Sequence, residues 1–225
     1  TDCNQCAAGK YSSASGASNE STCQSAGSGS CASSDYTTCI GANTTGAITS
    51  ILCPEGTYSS GTENSVCTSA QEGYCTTTNN ISCIGEGNNQ ATGELICSAG
   101  FYSSGIGNSR CTQVPEGSCT SNDGLECSGA NTTGTSRVML CPTGKYSTGV
   151  GNGICTDSQQ GYCVSTNGST CVGNGNLGGK SRIECVAGSY GPNISNDDCP
   201  LCAAGKYSTS AQANTCIDIT AGNCG

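Results

Sequence analysis

The chain has 225 residues, a formal net charge of −9 and a hydrophobic content of 34%, of which 22 residues are cysteine. Apart from cysteine, it has too few apolar side chains for a conventional globular core, because ordering the backbone costs roughly 1–2 kcal/mol per residue. An acidic chain with only seven lysines and arginines also lacks the basic patch that nucleic-acid binding requires.

The cysteines change the interpretation of this weak core. They make up close to a tenth of the chain, which is the density of a disulfide scaffold. Such bridges persist in oxidising compartments, so we expect an extracellular protein. Zinc binding is the alternative, but the chain has no histidine and only two CxxC pairs, Cys3/Cys6 and Cys199/Cys202. We therefore expect no metal and no cofactor.

In chain order, the cysteine spacing predicts an N-terminal CxxC module, four repeats and a C-terminal CxxC module. From Cys23 onward, steps of 8, 8, 14 and 14 residues recur four times without error. Cys216 and Cys224 then restart the eight-residue step. The predicted boundaries are 1–22, 23–66, 67–110, 111–154, 155–198 and 199–225.

Strand-like runs occur just before the fourth cysteine of each repeat, in AITSILC, TGELIC, SRVMLC and SRIEC. Clusters of Gly, Ser, Thr and Asn between them predict turns, and no helical periodicity is present. The predicted fold is small and disulfide-rich, mostly β-turn and short β-strand. We expect an elongated rod of tandem cysteine-rich modules with no large hydrophobic core.

Six segments between cysteines share one design, with Gly three residues and Tyr five residues after the opening cysteine. We call them the Gly/Tyr loops. The fixed Gly predicts a turn with positive φ. The fixed Tyr predicts a ring packed on the neighbouring disulfide with its hydroxyl in water, or alternatively a ladder for carbohydrate. The pairs are Gly9/Tyr11, Gly56/Tyr58, Gly100/Tyr102, Gly144/Tyr146, Gly188/Tyr190 and Gly205/Tyr207.

Six Asn-x-Ser/Thr sequons predict N-linked glycans, and the abundant Ser and Thr also permit O-linked ones. Within the repeats, sequons follow the third cysteine in the first and third copies and precede it in the second and fourth. This alternation indicates a period of 88 residues and glycans on different faces of successive units. An unglycosylated polar surface is the alternative. The sequons are Asn19, Asn43, Asn80, Asn131, Asn167 and Asn193.

The loop CPEGTYSSGTENSVC, from Cys53 to Cys67, resembles the cysteine-rich loops of tumour necrosis factor receptor and ephrin receptor ectodomains. Over nearly the whole chain, the Ser/Thr/Gly-rich repeats resemble the immobilisation-type surface antigens of ciliates more closely. This resemblance implies a surface glycoprotein with a glycosylphosphatidylinositol (GPI) anchor and without catalytic residues. We expect the leader and anchor signals to have been removed in processing, and the cysteine register does not match that family in detail.

Four cysteines per repeat allow three connectivities, and spacing alone leaves them open. The resemblance to receptor loops favours closing each Gly/Tyr loop on itself and bridging each eight-residue step. This first register is Cys6–Cys23, Cys31–Cys39, Cys53–Cys67, Cys75–Cys83, Cys97–Cys111, Cys119–Cys127, Cys141–Cys155, Cys163–Cys171, Cys185–Cys199 and Cys202–Cys216.

The first register leaves one cysteine near each end, Cys3 and Cys224, and we expect these to join successive molecules head to tail. A second register would pair Cys23–Cys31, Cys39–Cys53 and their equivalents. With tight Cys3–Cys6 and Cys199–Cys202 bridges, it would satisfy every cysteine within one chain. A crossed third register also stays open.

Catalysis is not expected, because the chain has no histidine to act as a general base and no pair of acids recurs through the repeats. The acids Asp123, Asp197 and Asp198 could bind calcium weakly, but their spacing matches no calcium site. We expect a non-enzymatic extracellular structural glycoprotein, a surface coat or secreted fibre. Its expected partners are itself and its glycans, with membrane contact only through a lipid anchor. The alternative is a receptor-like or adhesive module for protein or carbohydrate, in which one repeat should depart from the rest.

Overall fold

The structure, a computed structural model, describes residues 5–15 and 19–220. This part of the chain contains short β-strands and one 3₁₀ turn, Glu20–Thr22. It has no α-helix, and so none that is long and apolar enough to cross a membrane. In chain order the strands are β1 (Lys10–Tyr11), β2 (Gln24–Ser25), β3 (Ser30–Ser33), β4 (Thr49–Leu52), β5 (Thr57–Tyr58), β6 (Thr68–Ser69), β7 (Tyr74–Thr77), β8 (Gly93–Ile96), β9 (Phe101–Tyr102), β10 (Thr112–Gln113), β11 (Ser118–Ser121), β12 (Arg137–Leu140), β13 (Lys145–Tyr146), β14 (Thr156–Asp157), β15 (Tyr162–Ser165), β16 (Ser181–Glu184), β17 (Lys206–Tyr207) and β18 (Ile217–Asp218).

The four-residue strands form one antiparallel pair in each repeat. The strand before the fourth cysteine, predicted from its apolar run, pairs with a strand that contains the second cysteine. In the first repeat Cys31 of β3 lies opposite Ile51 of β4, and in the second Cys75 of β7 lies opposite Leu95 of β8. The same register recurs in β11–β12 and β15–β16.

The two-residue strands belong to the Gly/Tyr loops. In each such pair the first strand ends at the fixed tyrosine and the second begins just after the closing cysteine, as where Tyr58 of β5 pairs with Thr68 of β6. The disulfide therefore joins a cysteine that precedes the first strand to one that directly precedes the second. The pairs β1–β2, β13–β14 and β17–β18 follow the same plan.

The buried interior consists of cystine and small side chains. Near the start of the chain, Tyr11 and Ile40 cover a cluster of Ala26, Ala32 and Ala47. The tyrosine ring thus packs on alanines, and its hydroxyl donates a hydrogen bond of 3.1 Å to the exposed Gln24. Elsewhere the largest wholly buried side chains are valines and threonines. The predicted disulfide-rich fold without a large hydrophobic core is therefore confirmed.

The chain divides into two compact units. One comprises the described residues up to Cys97 together with Ser103–Thr112. It contains the hairpins β3–β4 and β7–β8. The other comprises Ser98–Tyr102 and the described residues from Gln113 onward, with hairpins β11–β12 and β15–β16. Each unit thus holds two copies of the same supersecondary motif.

Candidate functional site

Ten disulfides cross-link the described residues. They close the Gly/Tyr loops on themselves and bridge the eight-residue steps, which is the connectivity that the receptor-like loop implied. The second and crossed registers do not occur among these cysteines. Cys3 and Cys224, proposed to join molecules, lie outside the described residues. The bonds are Cys6–Cys23, Cys31–Cys39, Cys53–Cys67, Cys75–Cys83, Cys97–Cys111, Cys119–Cys127, Cys141–Cys155, Cys163–Cys171, Cys185–Cys199 and Cys202–Cys216.

Each Gly/Tyr loop carries its fixed glycine in the left-handed region, with φ between 72° for Gly144 and 86° for Gly188. In four of the six, a backbone oxygen of the next Gly/Tyr loop occupies the place where a Cβ would stand. Any larger residue would therefore meet main chain, not a movable side chain. The four contacts are Gly9 with Glu63, Gly56 with Gly107, Gly100 with Gly151, and Gly144 with Ser195.

We call Glu63, Gly107, Gly151 and Ser195 the tip residues. All four have positive φ, between 62° and 78°. The N–H of each tip residue donates to a carbonyl that follows the previous loop, as from Glu63 to Ala26 at 2.8 Å. The equivalent bonds run from Gly107 to Ala70, from Gly151 to Val114 and from Ser195 to Ser158, at 2.7–2.8 Å. Each tip residue thus contacts the glycine of the preceding loop through its carbonyl oxygen and the chain just after that loop through its N–H. We call this pair of contacts the backbone clamp.

Side chains add to this clamp at two of the four tips. The Glu63 carboxylate lies 3.3 Å from the Lys10 ammonium. At Ser195, the hydroxyl donates to Asp157, which also pairs with Lys145 at 2.8 Å. The Lys145 hydrogen bond, followed by that from Ser195, lowers the pKa of Asp157. Because the two glycine tips offer no side chain, the feature common to all four clamps is the backbone contact.

The fixed tyrosines, for which packing on a disulfide or a carbohydrate ladder was expected, are partly covered by the rest of the fold. Five of the six are half-buried and Tyr207 is 38% exposed. Four of them form an isolated parallel β-bridge, through their backbones, with a residue 33–36 positions later in the chain. Tyr11 pairs with Ala47 in this way, and Tyr58 pairs with Ala91. The backbones of these four tyrosines thus join segments that are distant in the sequence.

Each eight-residue disulfide loop is folded around one Asp or Asn side chain. In the first, Asp35 accepts hydrogen bonds of 2.8 Å from the backbone N–H groups of Thr37 and Thr38, and the buried Ser33 hydroxyl donates to it. A short polar side chain satisfies backbone donors that so tight a loop leaves unpaired. The equivalent residues are Asn79, Asp123 and Asn167.

These hydrogen bonds also hold the two aspartates in their charged form. The Thr38 hydroxyl, followed by the N–H groups of Thr38 and Thr37, lowers the pKa of Asp35. The N–H of Leu125, followed by that of Glu126, lowers the pKa of Asp123. Asp123, considered above as a weak calcium ligand, therefore serves this turn.

The sequons all lie on exposed residues, but they are not all equivalent. Asn43 and Asn131 occupy the same position in repeats one and three. The side chain of Asn167 accepts backbone hydrogen bonds within its eight-residue loop. In the second repeat this role belongs to Asn79, which is the neighbour of the sequon residue Asn80. The sequon residues Asn43 and Asn131 are therefore 88 positions apart, whereas Asn80 and Asn167 are 87 positions apart. Asn19 caps the 3₁₀ turn by accepting from the Ser21 N–H at 3.1 Å.

Two polar clefts lie at equivalent places in repeats two and four. The first, of about 400 Å³, contains the ion pair of Arg110 with Glu86 at 2.9 Å. It also contains Glu55, whose pKa is lowered by the Ser109 hydroxyl and then by the Gly87 N–H. Each of these acids therefore has a partner within the cleft.

The second cleft, of about 280 Å³, includes the sequon residue Asn193 and the predicted weak calcium ligands Asp197 and Asp198. Both carboxylates accept backbone hydrogen bonds, from the N–H groups of Gly175 and Cys199 respectively. Asp123 is not among its lining residues. The three acids are thus not brought to one point.

The two kinds of disulfide touch. Sγ of Cys39 lies 3.6 Å from Sγ of Cys67, so the bridge of an eight-residue loop contacts that of the following Gly/Tyr loop. Within residues 5–15 and 19–220, groups of three cysteine sulfurs within 4.8 Å of one another recur four times. Metal binding needs thiolates, and every sulfur in these groups is bonded to another sulfur. The groups are Cys31/Cys39/Cys67, Cys75/Cys83/Cys111, Cys119/Cys127/Cys155 and Cys163/Cys171/Cys199.

Comparison of the chain with protein-family models and with curated protein sequences gives no match. Ten disulfides fit an extracellular protein, since such bridges persist outside the reducing cytosol.

Proposed function

We propose that the protein is a non-enzymatic structural glycoprotein of an extracellular layer, either a coat at the cell surface or a secreted fibre. The backbone clamp carries this proposal. It recurs at four tip residues of three different types, so on the side of the tip it joins loops through backbone atoms alone, facing a fixed glycine. A coat or fibre protein built from tandem repeats needs a contact that recurs between its repeats, whereas a receptor needs one distinctive binding surface.

The surface chemistry supports the same function. All six sequons are exposed, and the exposed residues are largely polar with small side chains. Glycans at these positions would cover short loops that disulfides already protect from opening. The resulting material would resist proteases and stay hydrated.

The recurrence of the structural motifs argues against a receptor-like module. A binding module would concentrate its contacts in one repeat. Here the hydrogen-bonded eight-residue loop occurs in all four repeats, and the backbone clamp occurs at four successive Gly/Tyr loops. Exposed apolar side chains also recur at the 44-residue interval, in Ile106, Val150 and Ile194.

The test is to secrete the 225-residue chain from a eukaryotic host and measure its mass, glycan content and assembly. We expect a mass loss on enzymatic removal of N-glycans, and filaments or sheets by negative-stain electron microscopy. Free thiols are alkylated first, and the sample is then run with and without reductant. Multimers that collapse to one chain on reduction would support the proposed Cys3–Cys224 link, and the double variant Cys3→Ser/Cys224→Ser should abolish them. A glycan-free monomer that never assembles would overturn the proposal.

A further inference from the structure

The contact between disulfides is not required by the proposed structural role. Two bridges that close separate loops could stand apart, yet the sulfur pairs Cys39/Cys67, Cys83/Cys111 and Cys127/Cys155 lie 3.6–3.7 Å apart. Reacting atoms held about 3–3.5 Å apart are close to the geometry of attack. A thiolate formed at one of these sulfurs would stand next to an intact disulfide.

Burial distinguishes the two sulfurs of each bridge. Cys31 and Cys53 are wholly buried, whereas their partners Cys39 and Cys67 are partly exposed. The sulfurs that touch belong to the partly exposed cysteines. The same division of burial occurs in the other three groups. A reagent from solvent therefore reaches the contacting sulfurs first.

We propose that each pair of touching bridges is a thiol–disulfide exchange site for dithiols, through which a cross-link migrates from one loop to the next. In the first step a dithiol reduces Cys31–Cys39. The dithiol is oxidised to a cyclic disulfide, and its two electrons and two protons convert the protein bridge into two cysteine thiols. In the second step Cys39 loses its proton to solvent, and its thiolate attacks Sγ of Cys67. The Cys39–Cys67 bond forms, the Cys53–Cys67 bond breaks, and Cys53 takes up a proton.

The second step conserves the number of disulfides, because one bond forms for each that breaks. Its product leaves the thiols on Cys31 and Cys53, which are buried in the starting structure. The remaining bridge, Cys39–Cys67, still ties the eight-residue loop to the Gly/Tyr loop. Partial reduction thus leaves the chain cross-linked and keeps its new thiols away from neighbouring molecules.

The chain contains its own control. The bridges Cys6–Cys23 and Cys202–Cys216 belong to none of the sulfur groups found in the part of the chain that the structure describes. They close Gly/Tyr loops like the others. If contact drives the exchange, they should take no part in it.

The test treats the monomeric chain with less than one equivalent of dithiothreitol per bridge, traps thiols by alkylation at acidic pH, and maps disulfides by mass spectrometry. Exchange by an adjacent thiolate has a large effective concentration, so linkages of the Cys39–Cys67 type should exceed new linkages to the control cysteines by at least about tenfold. Random scrambling, or loss of native bridges without any such linkage, would overturn the proposal. Since the monomer is mapped, the result is independent of whether the protein forms a coat.

A matched pair of variants tests the same step without reductant. Cys31→Ser leaves the Cys39 thiol in contact with the intact Cys53–Cys67 bridge, so both Cys53–Cys67 and Cys39–Cys67 should be found. Cys39→Ser leaves the buried Cys31 thiol instead, and should yield at least about tenfold less of any non-native bridge. Equal yields from the two variants would contradict the proposal. If either variant fails to fold, the mapping of the wild-type chain still decides.

Discussion

The backbone oxygen of Glu63 stands where a Cβ on Gly9 would lie, although the two residues are 54 positions apart. Gly205 has the same local sequence, Ala-Ala-Gly-Lys-Tyr-Ser, and the same left-handed backbone, but among the described residues no atom beyond its chain neighbours lies within 4 Å of its Cβ position. Gly205 is therefore required only by its own turn, whereas Gly9 is required both by its turn and by the neighbouring loop that contains Glu63.

This difference predicts unequal effects of the same substitution. Gly205→Ala should lower the free energy of unfolding by about 1 kcal/mol through left-handed strain alone. Gly9→Ala adds a clash with main chain and should cost about 1–3 kcal/mol more, the usual cost of overpacking. Thermal unfolding with disulfides intact measures both. Equal losses would show that the clamp at Glu63 contributes nothing.

The hydrogen-bonded turn predicts a second contrast, at Asn79. Its side-chain oxygen accepts from the N–H groups of Ile81 and Ser82 at 2.9 and 3.0 Å. Asn79→Ala removes this acceptor and should destabilise the protein by about 1 kcal/mol. Asn79→Asp keeps an acceptor at the same place, as the first and third repeats do, and should be nearly neutral. Chemical denaturation of the two variants distinguishes them, and equal stability of the alanine and aspartate variants would refute the role given to Asn79.

The sequon at Asn167 combines two roles that can be separated. Ser169→Ala destroys the sequon while the side chain of Asn167 still accepts from the N–H groups of residues 169 and 170. It should remove the glycan with little change in unfolding free energy. Asn167→Gln removes the sequon and misplaces the acceptor, and should cost about 1 kcal/mol in addition. The measurements are glycopeptide mass spectrometry and thermal unfolding of each purified variant, and a stable Asn167→Gln protein would contradict this account.

The carboxylates of the eight-residue loops predict a stability that depends on pH. The folded-state pKa of Asp35 and of Asp123 lies below the ordinary value of 3.8. Their contribution is therefore present above pH 3.8 and is lost as the pH falls below it toward the folded-state pKa. The double variant Asp35→Asn/Asp123→Asn should show a smaller loss of melting temperature between pH 5 and pH 2 than the wild-type chain. Identical profiles would indicate that these two groups do not contribute.

The sequence predicts those parts of the fold that have a side-chain signature. The apolar runs identified β4, β8, β12 and β16, and the fixed glycines indicated positive φ. The partner strands, such as Ser30–Ser33 and Tyr74–Thr77, were missed because they contain no apolar run. In a protein whose interior is cystine, alanine and hydroxyl groups, such strands are buried without being hydrophobic.

The clamp was missed for a related reason. Glu63, Gly107, Gly151 and Ser195 share no side chain, only a backbone conformation and two backbone contacts. The constant interval of 44 residues between successive members of this set is the one signal that could have identified them. The structural Asn79 was likewise hidden beside the sequon residue Asn80, because neighbouring asparagines look alike in a sequence.

Because the clamp requires only a tip-residue backbone and a facing glycine, and both recur in the repeats, the architecture tolerates a change in the number of repeats. A deletion of residues 67–110 would join Val66 to Cys111 and restore the 14-residue step from Cys53. The shortened chain would keep Gly9 and Glu63 as they are, with every remaining cysteine at its usual interval. Gene lineages that lose or duplicate 44 codons in register could thus change the length of the protein while keeping the disulfide spacing and the backbone clamp.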